Sequence, residues 1–140
     1  MRLSGLTRLT RGEDGRGVIV LHLELLDAWG DGVKAPGNLQ VRLYRPAGSA
    51  VEGGLDVQEV RWDVAMTDPE VNSSLYDPAT RTYRVALGRL PAWVEELADA
   101  AARGDEEEAA RTYIRLRAVF ETVGADGQGL YLQDELVIRR

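Results

Sequence analysis

The sequence predicts a mainly β protein, a seven-stranded antiparallel β-sandwich with one helical insertion. Apolar and polar residues alternate with a period of two along much of the chain, which is the side-chain period of a β-strand. Each alternating segment is apolar on one side only, and turn-forming residues separate the segments. One-sided strands are typical of antiparallel sheets, and two such sheets packed face to face form a sandwich.

Six segments carry the alternation clearly, and a seventh at the N-terminus carries it weakly. In GVIVLHLELLD, Ile19, Leu21 and Leu23 face one side, while His22 and Glu24 face the other. The predicted strands span residues 17–27, 38–46, 57–66, 81–88, 112–122 and 130–138, preceded by the weak strand around Leu3 and Leu9.

One segment, at about 91–110 between the fifth and sixth strands, has the composition of a helix. Pro91 stands where a first-turn proline belongs, Gly104 resembles a C-terminal cap, and Asp105 resembles the N-cap of a second turn. The expected apolar stripe of this helix comprises Trp93, Leu97 and Ala101.

Two long segments are predicted to be loops, at 46–54 and 67–80. The second contains two Asp-Pro pairs, which we interpret as turn starts, and an Asn-Ser-Ser sequon at Asn72. Long loops often carry binding residues, so either could take part in function.

Composition excludes several classes of function. The chain has 140 residues, which suits a single domain covering 1–140, and a net charge of −6, which argues against a nucleic-acid partner. The absence of cysteine excludes disulfides, zinc-thiolate sites and thiol catalysis. No apolar run reaches membrane-spanning length, so we expect no membrane insertion of this segment. The protein is periplasmic, secreted or lipid-anchored if a leader was removed, and otherwise cytoplasmic.

The stretch LDAWGDGVKAPG partly matches a calcium-binding loop. Asp27, Asp31 and Gly32 occupy the first, fifth and sixth positions of an EF-hand, but Trp29 and Asn38 occupy the third and twelfth, where ligands are required. The EF-hand hypothesis therefore fails. A looser calcium site at Asp27 and Asp31 stays open beside the simpler interpretation, a turn between strands with Trp29 folded over the end of the sandwich.

Few residues suggest catalysis, and we predict neither an enzyme nor a cofactor. His22 is the only histidine, and we expect it to be half-exposed on a strand. Glu24, Glu59 and Asp63 also face outward, and a carboxylate hydrolase would need two of them to converge in a cleft.

Three resemblances bear on the fold and its setting. DEEEAARTYIRLRA resembles the lead into the sixth strand of immunoglobulin-type sandwiches, with Tyr113 at the position of the corner tyrosine. Seven strands with this helix are similar to Greek-key immunoglobulin-like and transthyretin-like domains, the latter including carboxypeptidase regulatory-like domains. Residues 18–46 also resemble uncharacterised bacterial secreted or lipoprotein-type sandwich proteins. The resemblance implies a place in the cell envelope and no functional residue.

Three hypotheses follow. The first is a non-enzymatic structural or protein-interaction module of the bacterial cell envelope, with Trp29, Tyr44 and Trp93 as possible contacts to a protein partner or a second copy. The second is a small-ligand or carbohydrate-binding domain, which requires a concave, aromatic-lined pocket, and whose ligand the sequence leaves unknown. The third is the carboxylate hydrolase.

Overall fold

The computed structural model describes residues 1–46, 56–109 and 113–139. Ten strands and three helices are found in these ranges. Their bounds are β1 Arg2–Leu3, β2 Arg8–Arg11, β3 Gly17–Leu26, β4 Gly32–Val33, β5 Asn38–Arg45, β6 Val57–Ala65, α1 Pro69–Leu75, β7 Tyr76–Asp77, β8 Thr82–Leu87, α2 Ala92–Ala102, α3 Glu106–Ala109, β9 Tyr113–Val123 and β10 Gly129–Arg139.

The strands form two antiparallel sheets. Sheet 1 has the order β1-β3-β8-β7, with β2 and β4 also paired to β3, and sheet 2 has the order β10-β9-β5-β6. The prediction of a mainly β protein with antiparallel sheets is confirmed. The strand count differs from the predicted seven, because β4 and β7 are additional two-residue strands and the first predicted strand is divided into β1 and β2.

The division of the first strand has a local cause. Leu3 pairs with Leu23 and Arg8 with Val20, so four residues of the edge strand lie opposite two residues of β3. The extra residues form a bulge, in which the Ser4 N–H donates to the His22 carbonyl oxygen at 2.8 Å.

Both sheets contribute their apolar sides to one hydrophobic core. The largest fully buried side chains include Tyr83, Ile19 and Leu21 from sheet 1 and Phe120 and Leu43 from sheet 2. Burying one side chain of this kind contributes about 1.5–3 kcal/mol relative to leaving it exposed. The alternation in the sequence therefore identifies the residues that hold the two sheets together.

The first helix corrects the prediction of a loop at 67–80. The carboxylate of Asp68 accepts the N–H groups of Glu70 and Val71, and Pro69 occupies the first helical position. Asp-Pro starts a helix as readily as a turn, because aspartate caps the first N–H groups and proline needs no partner there. The seven residues of this helix make about two turns, too few for the apolar period of a helix to be visible in the sequence.

The predicted helical insertion is present between β8 and β9 as α2 and α3. Gly104, with φ of +74°, ends α2, and Asp105 accepts the N–H of Glu108 at 3.1 Å, so both predicted caps are confirmed. The predicted apolar stripe is wrong by one position. The residues of α2 that join the buried core are Val94 and Ala98, whereas Trp93 and Leu97 are half-buried beside it. The described helices are all too short and polar to cross a bilayer.

Polar contacts fix α2 against sheet 1. The Glu95 carboxylate accepts the Gly17 N–H at 2.7 Å, and Asp99 pairs with Arg11 on β2. The loop predicted at 46–54 lies almost wholly outside the described residues.

Candidate binding surface

The outer side of sheet 2 contains a depression of about 530 Å³, here called the sheet 2 depression. The polar side chains of β5, β6 and β9 point to this side, because successive residues of a strand point to opposite sides and the apolar residues between them face the core. The residues lining the depression are Asn38, Leu39, Gln40, Arg42, Arg61, Asp63, Val64, Ala65, Val119, Glu121 and Tyr131.

Three arginines lie in one row across the sheet beside this depression. Arg42 on β5 is paired in register with Arg61 on β6 and with Arg117 on β9. Side chains directly opposite on one side of an antiparallel pair have Cβ atoms about 4.5–5.5 Å apart, and like charges at that distance are destabilising. The row therefore concentrates positive charge at one place on an acidic chain.

The two outer arginines of the row have acidic partners. Arg61 holds Asp63 through Nε at 3.0 Å and Nη2 at 2.9 Å, while Arg117 donates to Gln133 at 2.8 Å and lies 3.8 Å from a Glu135 carboxylate oxygen. The hydrogen bond from Arg61 is the main cause that lowers the pKa of Asp63 below its usual value. Asp63 is therefore a charged acceptor at neutral pH.

Among the described residues that line the depression, Tyr131 is the one aromatic residue. Its side chain is 67% exposed, and its hydroxyl donates to Glu121 at 3.3 Å. Tyr131 is not among the contacts predicted from the sequence, although the alternation of 130–138 indicates its outward position. An exposed tyrosine supplies contact area at low conformational cost.

The three aromatic residues predicted as contacts lie elsewhere and are not brought together. Trp29 is 86% exposed at the turn between β3 and β4, so the expectation that it folds over the core is wrong. The Tyr44 ring lies 4.6 Å from the Arg115 guanidinium, and Trp93 donates from Nε1 to Glu59 at 2.6 Å. The polar turn around Trp29 provides no apolar surface for its ring, since its neighbours on the chain are exposed.

The three carboxylates of the hydrolase hypothesis are dispersed. Glu24 is on β3 of sheet 1, where it pairs with Arg2. Glu59 and Asp63 share β6 but lie four residues apart, which separates them by roughly 13 Å along a strand. The condition set for this hypothesis, two of these residues converging in one cleft, is not met.

His22 is buried, with 4% of its surface exposed, so the expectation of a half-exposed strand residue is wrong. Ser4 and Thr7, in the bulge between β1 and β2, form hydrogen bonds with its backbone, and its Nδ1 lies 2.8 Å from the Thr82 hydroxyl. Burial is the main cause that lowers its pKa, and the nearby charges of Arg84 and Arg8 act in the same direction. His22 is thus neutral at physiological pH.

At the predicted calcium loop, the carboxylate of Asp27 organises a turn. One oxygen, Oδ1, accepts the N–H groups of Trp29 and Asp31, each at 2.9 Å, and Gly30 takes a positive φ of +85°. Across residues 1–46, 56–109 and 113–139, no group of three or more acidic, histidine or cysteine side chains is arranged to hold a metal ion.

Comparisons with protein-family models, with curated proteins and with solved structures give no match to this chain.

Proposed function

We propose that the chain is an immunoglobulin-like β-sandwich that acts as a non-enzymatic protein-interaction module, with the sheet 2 depression as its binding surface. The strand order supports the fold assignment. Immunoglobulin-type domains have one sheet in the order A-B-E-D and another built on G-F-C, extended by C′. Here β1 with β2, then β3, β8 and β7 match the first order, and β10, β9, β5 and β6 match the second.

One further feature supports the immunoglobulin-like alternative over the transthyretin-like one. Tyr113 begins β9, the strand that corresponds to F, directly after the helical connection from β8.

The observation that carries the proposed function is the composition of the sheet 2 depression. Tyrosine and arginine are enriched at the centres of protein interfaces, and Tyr131, Arg42 and Arg61 all line this depression, as does the half-buried side chain of Val119. The polar groups are held in place by contacts within the sheet, which lowers the entropy cost of binding. A place in the bacterial cell envelope rests on the resemblance of residues 18–46 alone.

A carbohydrate-binding function is the second candidate, because the surface is concave and offers both donors and acceptors. Sugar hydroxyls need both, and Gln40, Asp63 and Glu121 could serve them. The aromatic platform expected for such a site is weak, since Tyr131 is the one aromatic ring among the described lining residues. This favours a protein partner.

Nuclear magnetic resonance of the labelled protein tests the location of the site. Panels of short acidic, basic and apolar peptides, together with neutral and acidic oligosaccharides, are titrated while amide shifts are followed. We expect peptides to perturb the strands of sheet 2 around Tyr131, and Tyr131→Ser to weaken this response while Trp29→Ser leaves it unchanged. Perturbations confined to other surfaces, or none from any peptide, would contradict the proposal.

A further inference from the structure

Arg42 is the central member of the arginine row and differs from its two neighbours in its contacts. Its Nε donates to Oε1 of Gln40 at 2.7 Å, which fixes the plane of the guanidinium. In the described part of the chain, no carboxylate oxygen lies within ion-pair distance of Arg42, and its two terminal nitrogens make no hydrogen bond. The guanidinium of this half-buried residue is thus held in position, and its outer edge makes no contact with a described acceptor.

The positive charges on either side of Arg42 favour the binding of an anion to it. Arg61 and Arg117 stand directly opposite it on either side, and the acidic residues that pair with them are already engaged. A carboxylate placed against the free edge would form two parallel, charge-assisted hydrogen bonds and offset the repulsion within the row. Since Arg42 lines the sheet 2 depression, such a carboxylate can reach it from solvent.

We propose that the partner of this surface is an acidic, extended peptide segment that places one carboxylate on Arg42. This inference rests on the proposed function and adds the chemistry of the partner. Asp63 and Glu121 also line the depression, which disfavours a doubly charged phosphate group and favours a single carboxylate.

The size of the surface agrees with a short peptide. Arg42 on β5 and Tyr131 on β10 lie two strands, roughly 10 Å, apart across the sheet and four register positions, roughly 13 Å, apart along it, which is the length of about five residues of extended chain. The amides of Gln40 and Asn38 can bond to a peptide backbone between these two points, and the ring of Tyr131 can pack against a side chain near the other end of the bound segment.

The test uses a capped hexapeptide with one glutamate among glycines, with the glutamine analogue as its neutral match and a galacturonate trimer as an acidic saccharide. Binding to the full chain is measured by titration calorimetry and mapped by amide shifts. We expect the glutamate peptide to bind at the sheet 2 depression and the glutamine peptide to bind about tenfold more weakly or less.

The variants separate charge from geometry. Arg42→Gln should weaken binding of the glutamate peptide by about tenfold, and Arg42→Lys should restore only part of it, because an ammonium group cannot form the paired bonds. Arg84→Gln, which removes an exposed arginine from the outer side of sheet 1, is the matched control and should bind as the unchanged protein does. Arg42→Gln should not melt at a lower temperature, since it relieves repulsion within the row.

Three results would overturn the inference. They are equal binding of the glutamate and glutamine peptides, binding unchanged by Arg42→Gln in a protein that melts normally, and binding of the galacturonate trimer in place of the peptide. If basic or apolar peptides nevertheless perturb the sheet 2 depression, the proposed function stands without this inference. If no peptide perturbs it, both fail.

Discussion

Replacing Tyr83 with phenylalanine removes a single hydroxyl from the centre of a buried polar network. That hydroxyl donates to Oδ1 of Asn72 at 2.7 Å and accepts the N–H of Ala35 at 3.2 Å. Asn72, in turn, donates from Nδ2 to the carbonyl oxygens of Ala35 at 2.8 Å and Met66 at 2.9 Å. The network joins α1, β8 and the segments that flank β5 and β6. It also buries the amide of the sequon at Asn72, which the sequence analysis placed in a polar loop.

The expected loss in the free energy of unfolding comes from the polar groups that Tyr83→Phe leaves without a partner. Phenylalanine keeps the ring and its edge-to-face contact with Tyr76, whose centroid lies 5.4 Å away, so little packing is lost. The Asn72 oxygen and the Ala35 N–H both lose a partner, and leaving such a group unsatisfied costs about 1–3 kcal/mol. A loss of about 2 kcal/mol lowers Tm by roughly 7 °C for a chain of this length.

Thermal and urea unfolding of four proteins would measure the effect: the unchanged chain, Tyr83→Phe, Asn72→Ala and the double variant. Tyr76→Phe is the control, because it removes the hydroxyl of the adjacent ring. No hydrogen bond from that hydroxyl to a described residue is found. We expect a coupling free energy of at least about 0.5 kcal/mol between Tyr83 and Asn72. The reasoning is refuted if Tyr83→Phe and Tyr76→Phe unfold at the same denaturant concentration.

Further predictions concern the packing, the buried histidine and the turn at the end of β3. Gly37→Ala should destabilise the protein by about 1–3 kcal/mol or more, because a Cβ there overlaps the backbone and a ring of β9, whereas Gly32→Ala, with open space around it, should be nearly neutral in urea unfolding. Because burial lowers the pKa of His22, the unfolded state binds the proton more readily. The contribution of His22 to the free energy of unfolding should therefore be fully present above about pH 6.5 and should decrease as the pH falls below that value. His22→Gln should make the free energy of unfolding less dependent on pH in this range. Trp29→Ser should change the free energy of unfolding by less than about 0.5 kcal/mol, and a larger loss would mean that the ring packs on something. Calcium should leave Tm unchanged if Asp27 serves only the turn, while an increase that a chelator reverses would restore the metal hypothesis.

Local patterns in the sequence determined the strands and the caps. The alternation in 17–27 or 112–122 marks a strand whichever strand lies beside it, because successive side chains point to opposite sides of any extended chain. Gly104 and Asp105 could be assigned for the same reason, since a cap depends on the backbone within a few residues.

Only the tertiary structure decided which outward residues meet. Arg42 could be placed on the polar side of its strand from the sequence, but the row that it forms with Arg61 and Arg117 depends on the pairing and register of strands far apart in the chain. Burial of a polar residue is likewise a property of its surroundings. His22 is buried beside a bulge in another strand, and Trp29 is exposed at a turn whose neighbouring residues along the chain are exposed as well. Side-chain alternation is a short-range property of the chain, whereas register and burial are set by contacts over its whole length.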